Sequence, residues 1–163
     1  MIDPRLFADL TGHVLPEWID LNGHMNLAYY LLAFDKGTDA LFARHDIGWD
    51  YTQRAHCGLF VLETHLTYEQ ELREGEPYRI ASHILGVDAK RLHFFHYMHH
   101  AETGVLAATN DSIGVHVDLS TRRSTPWPDV AMASLTAMAA AHAAVPRPPQ
   151  AGRAIGMDRK RAA

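Results

Sequence analysis

Between Asn26 and about Arg44, Leu27, Tyr30, Leu31, Phe34, Thr38, Leu41 and Phe42 recur at three- and four-residue spacing, while Asp35, Lys36 and Asp39 fall on another face. That spacing predicts one long amphipathic helix with a stripe to bury. Gly37 inside it costs about 1 kcal/mol relative to Ala, so a close contact is expected there. Downstream the period changes. Residues 59–72, 76–87, 90–101 and 105–119 are rich in β-branched, aromatic and aliphatic side chains and are separated by Arg73-Glu74-Gly75, Val87-Asp88-Ala89 and Glu102-Thr103-Gly104. They predict four strands, and their short turns predict antiparallel neighbours. A helix with one apolar stripe and a sheet to receive it define an α+β layer architecture.

The flanks are less regular. His13–Ile19 is expected to be a short extended segment, with Pro16 at an edge or bulge. Residues 45–58 are expected to be an irregular connection with one helical turn. Pro126-Trp127-Pro128-Asp129 stops the last strand, and the Ala-rich stretch Val130–Ala144 predicts a C-terminal helix ended by Pro146, Pro148 and Pro149. A single domain over residues 1–145 is therefore expected, followed by a basic, Pro-containing tail over 146–163. From Arg147 onward the tail holds Arg147, Arg153, Arg159, Lys160 and Arg161 against Asp158. A solvated tail is the plain expectation and phosphate binding the alternative.

At 163 residues the chain is long enough to bury a core without staples. Its net charge of −4 lacks the basic footprint of a duplex-binding protein, so no nucleic-acid partner is expected. Cys57 is the only cysteine, which excludes an intrachain disulfide and any multi-thiolate metal site. No run approaches the roughly 18 apolar residues of a membrane span, and Met1-Ile2-Asp3-Pro4-Arg5 does not open a signal sequence. A cytoplasmic protein without a membrane partner is expected.

The densest polar cluster lies where the long helix begins: Asp20-Leu21-Asn22-Gly23-His24-Met25-Asn26. A helix amino end presents unpaired N–H groups and partial positive charge, which hold an anion or a developing oxyanion. A carboxylate, an amide and an imidazole at alternate positions beside it supply a base or nucleophile, an orienter and a second proton-handling group. The simpler alternative makes Asn26 or Asn22 an N-cap and Asp20 a complement to the helix dipole.

The Asp-x-Asn-x-His string, followed by Asn26 and the Tyr29-Tyr30 pair, resembles the catalytic segment of the hotdog-fold thioesterases. The same spacing occurs in plant acyl-carrier-protein thioesterases and points to Asp20, Asn22 and His24. Gly23, three residues after Asp20, matches the 4-hydroxybenzoyl-CoA thioesterase branch, in which an N–H seven residues after the Asp polarises the thioester carbonyl; that role would fall on Leu27. Trp18–Met25, Thr38–Leu41, Leu62–His65, Lys90–His93 and His116–Leu119 resemble a bacterial subgroup that includes betainyl-CoA thioesterases. The resemblance spans residues 13–128 or so. It implies a hotdog fold, a curved antiparallel sheet around one long central helix, and a homodimer or dimer of dimers with active sites at the interface. It also implies hydrolysis of betainyl-CoA or another short-chain acyl-CoA, with Asp20 as nucleophile or general base and no cofactor or metal. A non-catalytic acyl-CoA-binding protein and a hotdog dehydratase are the other uses of such a fold.

Five further residues are candidates for substrate binding. Strand alternation would put Glu63 on one face with Val61, His65 and Thr67, either near Asp20 or in a solvated ion pair. Lys90 and Arg91 suit the phosphates of coenzyme A or an ordinary turn. Tyr29 and Trp49, with Trp18, Tyr30 and Phe60, are candidates for an acyl pocket, and aromatic faces suit a quaternary ammonium. Along the histidine-rich run Leu92–His100, the pairs His96/His100 and His93/His99 stand roughly 13 and 20 Å apart if extended, too far for one metal ion. Cys57 lacks an activating pattern and is expected to be a quiet thiol.

Overall fold

The structure, a computed structural model, describes residues 2–156. Arg159, Lys160, Arg161 and Asp158, which give the tail most of its charge, lie outside the described residues. The chain opens with strand β1 (Phe7–His13), which is followed by a 3-10 turn at Pro16–Trp18. Pro16 therefore starts a turn, with its fixed φ and missing N–H both accommodated there. The strand lies upstream of the expected His13–Ile19 segment and shares only His13 with it. Helix α1 (Leu27–Arg44) and the shorter α2 (Trp49–Ala55) come next. α2 is longer than the single turn expected of that connection.

Strands β2 (Cys57–Tyr68), β3 (Pro77–Val87), β4 (Arg91–His100) and β5 (Leu106–Asp118) follow, then the short β6 (Arg123–Ser124) and helix α3 (Asp129–His142). The strands form one curled antiparallel sheet in the order β1-β3-β4-β5-β2, with β6 on β5. β3, β4 and β5 are hairpin neighbours, as the short turns predict. β2 and β3 are not: β2 pairs with β5, and β3 pairs with β1 on its other side. Residues 69–76 thus run across the open end of the sheet. Met25 N–H donates to the Leu72 carbonyl at 2.8 Å, and Leu72 N–H donates to the Tyr30 hydroxyl at 3.0 Å. This crossing segment lies against the loop that enters α1.

The buried face of α1 carries Tyr30, Ala33, Phe34, Gly37, Thr38, Leu41 and Phe42. Leu27 and Leu31, expected in the stripe, are 66% and 43% exposed. The stripe is rotated because Gly37 lets β3 approach: a Cβ there would stand 2.9 Å from Ile80 Cγ2. Two apolar clusters run along the helix, one around Tyr30, Phe34, Leu72 and Met98 and the other around Leu41, Ile84, Phe94 and Trp127. Burying each large side chain contributes roughly 1.5–3 kcal/mol.

β1 pairs with β3 only as far as Ser82. Just beyond it the Ile84 N–H donates to His142 Nδ1 at 2.9 Å, so α3 covers an edge that β1 leaves unpaired. The opposite edge strand, β2, has no second strand partner among the described residues. Within the described part of the tail, Pro148 is buried and Gly152 N–H donates to Asp111 Oδ2 at 2.6 Å, whereas Ile155 is 93% exposed. No helix among the described residues is long and apolar enough to cross a membrane.

Candidate active site

The loop from Asp20 to Asn26 is a closed turn. Gly23 N–H donates to the Asp20 carbonyl at 3.0 Å, and Asp20 N–H donates to the His24 carbonyl at 3.1 Å, joining Ile19 and Met25 in an isolated bridge. Gly23 sits at φ +78°, the left-handed region that glycine enters without a Cβ penalty. The Asp20 carboxylate folds back over this turn. Its Oδ1 accepts from the Asn22 backbone N–H at 2.8 Å and its Oδ2 from Asn26 Nδ2 at 3.3 Å.

Asn26 has a double role. Its Oδ1 accepts the Ala28 N–H at 3.0 Å, capping α1, while its carbonyl accepts Tyr29 N–H at 3.0 Å. Two of the first three helical N–H groups are thereby satisfied. The third, on Leu27, has no acceptor among the described residues and sits at the positive end of α1. The capped Ala28 N–H and the unpaired Leu27 N–H are therefore neighbours on the first turn of α1.

Asp20, Asn22, His24 and Leu27 line one cavity of about 370 Å³, together with Tyr30, Tyr68 and the crossing segment Glu69–Glu71. His24 Nδ1 stands 3.2 Å from the Met25 carbonyl, which can only accept, so Nδ1 carries the proton and Nε2 keeps the lone pair in the neutral ring. Asn22 orients Asp20 through its backbone; the side-chain amide that reaches Asp20 belongs to Asn26. Burial raises the hydroxyl pKa values of Tyr30 and Tyr68, keeping both neutral near pH 7. The Tyr68 hydroxyl donates to the Leu27 carbonyl at 3.4 Å and its ring meets Tyr30 edge to face.

The five other expected residues do not line this cavity. Glu63 lines a separate cavity with His65, His93, Asp111 and Arg153. A bulge between Val61 and Glu63 breaks the alternation there, so Val61 joins Thr64 in lining a groove beside Leu31, Phe34 and Phe94. Lys90 Nζ donates to the Ser124 carbonyl at 3.3 Å, and Arg91 pairs with Asp88 at 2.6 Å. Tyr29 stacks on Trp18 at 5.4 Å, while Trp49 is 76% exposed beside Leu59 and Phe60. The histidines of β4 have separate partners: His93 meets Asp111 at 2.7 Å, His96 meets Thr38 and Ser82, and His99 faces the Gly104 carbonyl. Among the described residues no cluster of three or more His, Cys, Asp or Glu could hold a metal ion.

Residues 14–135 match the model of the thioesterase-like superfamily. A betainyl-CoA thioesterase of Pseudomonas aeruginosa is 42% identical over 146 residues, covering 88% of this chain and 91% of the relative. The chain belongs to the thioesterase-like superfamily. It is a hotdog-fold thioesterase, and the carboxylate and free helical N–H described above occupy the loop whose residues carry that resemblance. A two-function L-carnitine dehydrogenase/betainyl-CoA thioesterase of Rhizobium meliloti is 34% identical over 87% of this chain, but the match spans 28% of that longer protein. Among solved structures, the Staphylococcus aureus protein SAV2348, determined in complex with CoA, superposes with a TM-score of 0.87 at 30% identity, covering 93% of this chain and 95% of that one. A 1,4-dihydroxy-2-naphthoyl-CoA thioesterase from Synechocystis shares the fold at a TM-score of 0.72 and 14% identity, covering 80% and 96%.

Proposed function

We propose that this thioesterase hydrolyses betainyl-CoA to betaine and free CoA at the cavity of Asp20. The observation that carries the mechanism is the pairing of a braced carboxylate with an unused N–H at the first turn of α1. The carbonyl oxygen of the thioester accepts the Leu27 N–H, and Asp20 either attacks the carbonyl carbon or takes a proton from the attacking water. In both routes negative charge gathers on that oxygen, where the N–H and the helix dipole stabilise it; losing such a donor typically costs on the order of 100-fold in rate. The C–S bond then breaks and CoA leaves as the thiolate. In the direct route the resulting acyl-aspartyl anhydride is cleaved by water. His24, with Nε2 unprotonated in the neutral ring, serves as proton shuttle or brace.

The 42% identity of the Pseudomonas enzyme supports the acyl group, and the CoA complex of SAV2348 supports the carrier. Lys90 and Arg91 are the candidates for the CoA phosphates. The working unit in this reading is a cytoplasmic homodimer or dimer of dimers built from the domain over 1–145. The open edge of β2, with Phe60, Val61 and Leu62 41–61% exposed, supports such pairing. Glu63 and Trp49, on and beside that edge, would serve the site of the other protomer, and Tyr29 would back the cavity through Trp18. Thiol release from a panel of betainyl-, acetyl-, butyryl- and benzoyl-CoA tests the proposal. Betainyl-CoA is expected to be cleaved with the highest kcat/KM; no cleavage of it would reject the reading.

A further inference from the structure

The cavity holding Asp20 and the Leu27 N–H also contains groups that hydrolysis does not use: the Tyr68 ring and the carboxylates of Glu69 and Glu71. The two carboxylates differ in how they are compensated. Glu71 accepts from the Arg73 guanidinium at 2.7 and 3.0 Å, so its charge is balanced. Among the described residues Glu69 accepts only from neutral donors, the Thr67 hydroxyl at 3.0 Å and the Gln150 amide at 3.2 Å, and no cation pairs with it. No Lys or Arg among the described residues lines this cavity. The Tyr68 ring remains 44% exposed beside Glu69.

Size decides which groups can sense an acyl substituent. In a betainyl thioester the quaternary nitrogen is two bonds from the carbonyl carbon, roughly 2.5 Å away. Whatever senses that charge must therefore share the cavity of Asp20 and Leu27. Asp35, on the exposed side of α1, lies eight residues and about 12 Å beyond Leu27 along the helix, too far for so short a group. Trp49 lines another cavity and Tyr29 faces Trp18. Tyr68 and Glu69 meet the requirement.

We propose that Tyr68 and Glu69 form the acyl-specificity subsite, holding a trimethylammonium group between an aromatic face and an uncompensated carboxylate. The inference rests on the hydrolysis proposed above and names the residues that select its substrate. A ring with a nearby carboxylate attracts an ammonium that cannot donate hydrogen bonds, and it gives no such advantage to a neutral group of the same shape.

The test compares betainyl-CoA with its neutral isostere 3,3-dimethylbutanoyl-CoA, using the ratio of their kcat/KM values so that general losses of folding or activity cancel. The wild type is expected to favour betainyl-CoA by roughly tenfold or more. Glu69→Gln, which keeps both hydrogen-bonding neighbours, and Tyr68→Leu should each lower the ratio about fivefold, while Tyr68→Phe retains it. Raising the salt concentration should shrink the wild-type preference and scarcely move that of Glu69→Gln. Wild type that cleaves both esters without preference, or Glu69→Gln and Tyr68→Leu variants whose ratios stay within twofold of wild type, would overturn the subsite and leave the hydrolytic reading standing. Wild type that cleaves neither ester would remove both.

Discussion

Asn26 joins the fold to the chemistry, and two substitutions separate its roles. In Asn26→Ala the Ala28 N–H loses its cap, which costs typically about 1 kcal/mol, or roughly 2–4 °C in Tm for a domain of this size. The same change removes the amide that donates to Asp20 Oδ2 at 3.3 Å. Asn26→Asp keeps an equally good capping oxygen but replaces the amide donor with a second carboxylate. Two carboxylates about 5 Å apart at an effective dielectric near 40 repel by roughly 1.7 kcal/mol. That energy moves the acid limb of the kcat/KM profile upward by about one pH unit. The assays are urea denaturation and a pH series of thioester hydrolysis on both variants. The expected pattern is crossed: Asn26→Ala loses stability, whereas Asn26→Asp retains it and shifts the pH profile. Asn26→Asp with a wild-type profile would refute the link between this amide and a working carboxylate.

Other consequences follow from the buried imidazoles, α1 and the open edge. Burial lowers the pKa of His83 to about 4, of His96 to about 3, and that of His142 as well. The unfolded chain therefore binds more protons below its ordinary histidine pKa near 6.5, and stability present above that pH declines as the pH falls toward 4 and below. Urea midpoints that stay flat from pH 7 to 4 would contradict this. Gly37→Ala gains about 1 kcal/mol of helix propensity but drives a methyl to 2.9 Å from Ile80 Cγ2. With overpacking at roughly 1–3 kcal/mol, net destabilisation in urea is expected, and a stabilised variant would contradict the close packing of β3 on α1. In the proposed homodimer Leu62→Lys places a charge on the β2 edge and is expected to give monomers by sedimentation velocity where the wild type gives dimers; a dimer that persists would remove that edge from the proposed interface.

The extent of α1 was legible because its periodicity is long and its cap, Asn26, is a residue type with few other uses before a helix. Its exact stripe was not, because Ala33 and Gly37 contribute by being small, and a count of large apolar residues assigns Leu27 and Leu31 their places. Arg73-Glu74-Gly75 does form a turn, yet local turn chemistry carries no information on which strand lies next. β2 reaches β5 by pairing across most of the domain, which sends residues 69–76 across the sheet without any local sequence signal. The proposed acyl subsite lies at the start of that crossing. Asp20, Asn22, His24 and Leu27 belong to one continuous segment and were readable in order, whereas Tyr68 and Glu69 arrive from a remote segment with no local signature. Asn26 was visible as a cap, but its contact with Asp20 depends on the closed turn at Gly23.

In the proposed mechanism the Asp20 carboxylate does the chemistry. Steady-state hydrolysis of betainyl-CoA by Asp20→Asn and Asp20→Ala, both checked for native folding by circular dichroism, tests it most directly. Loss of a positioned base or nucleophile predicts a fall in kcat of roughly 100- to 10,000-fold in both variants. Turnover within tenfold of wild type in either would contradict the account.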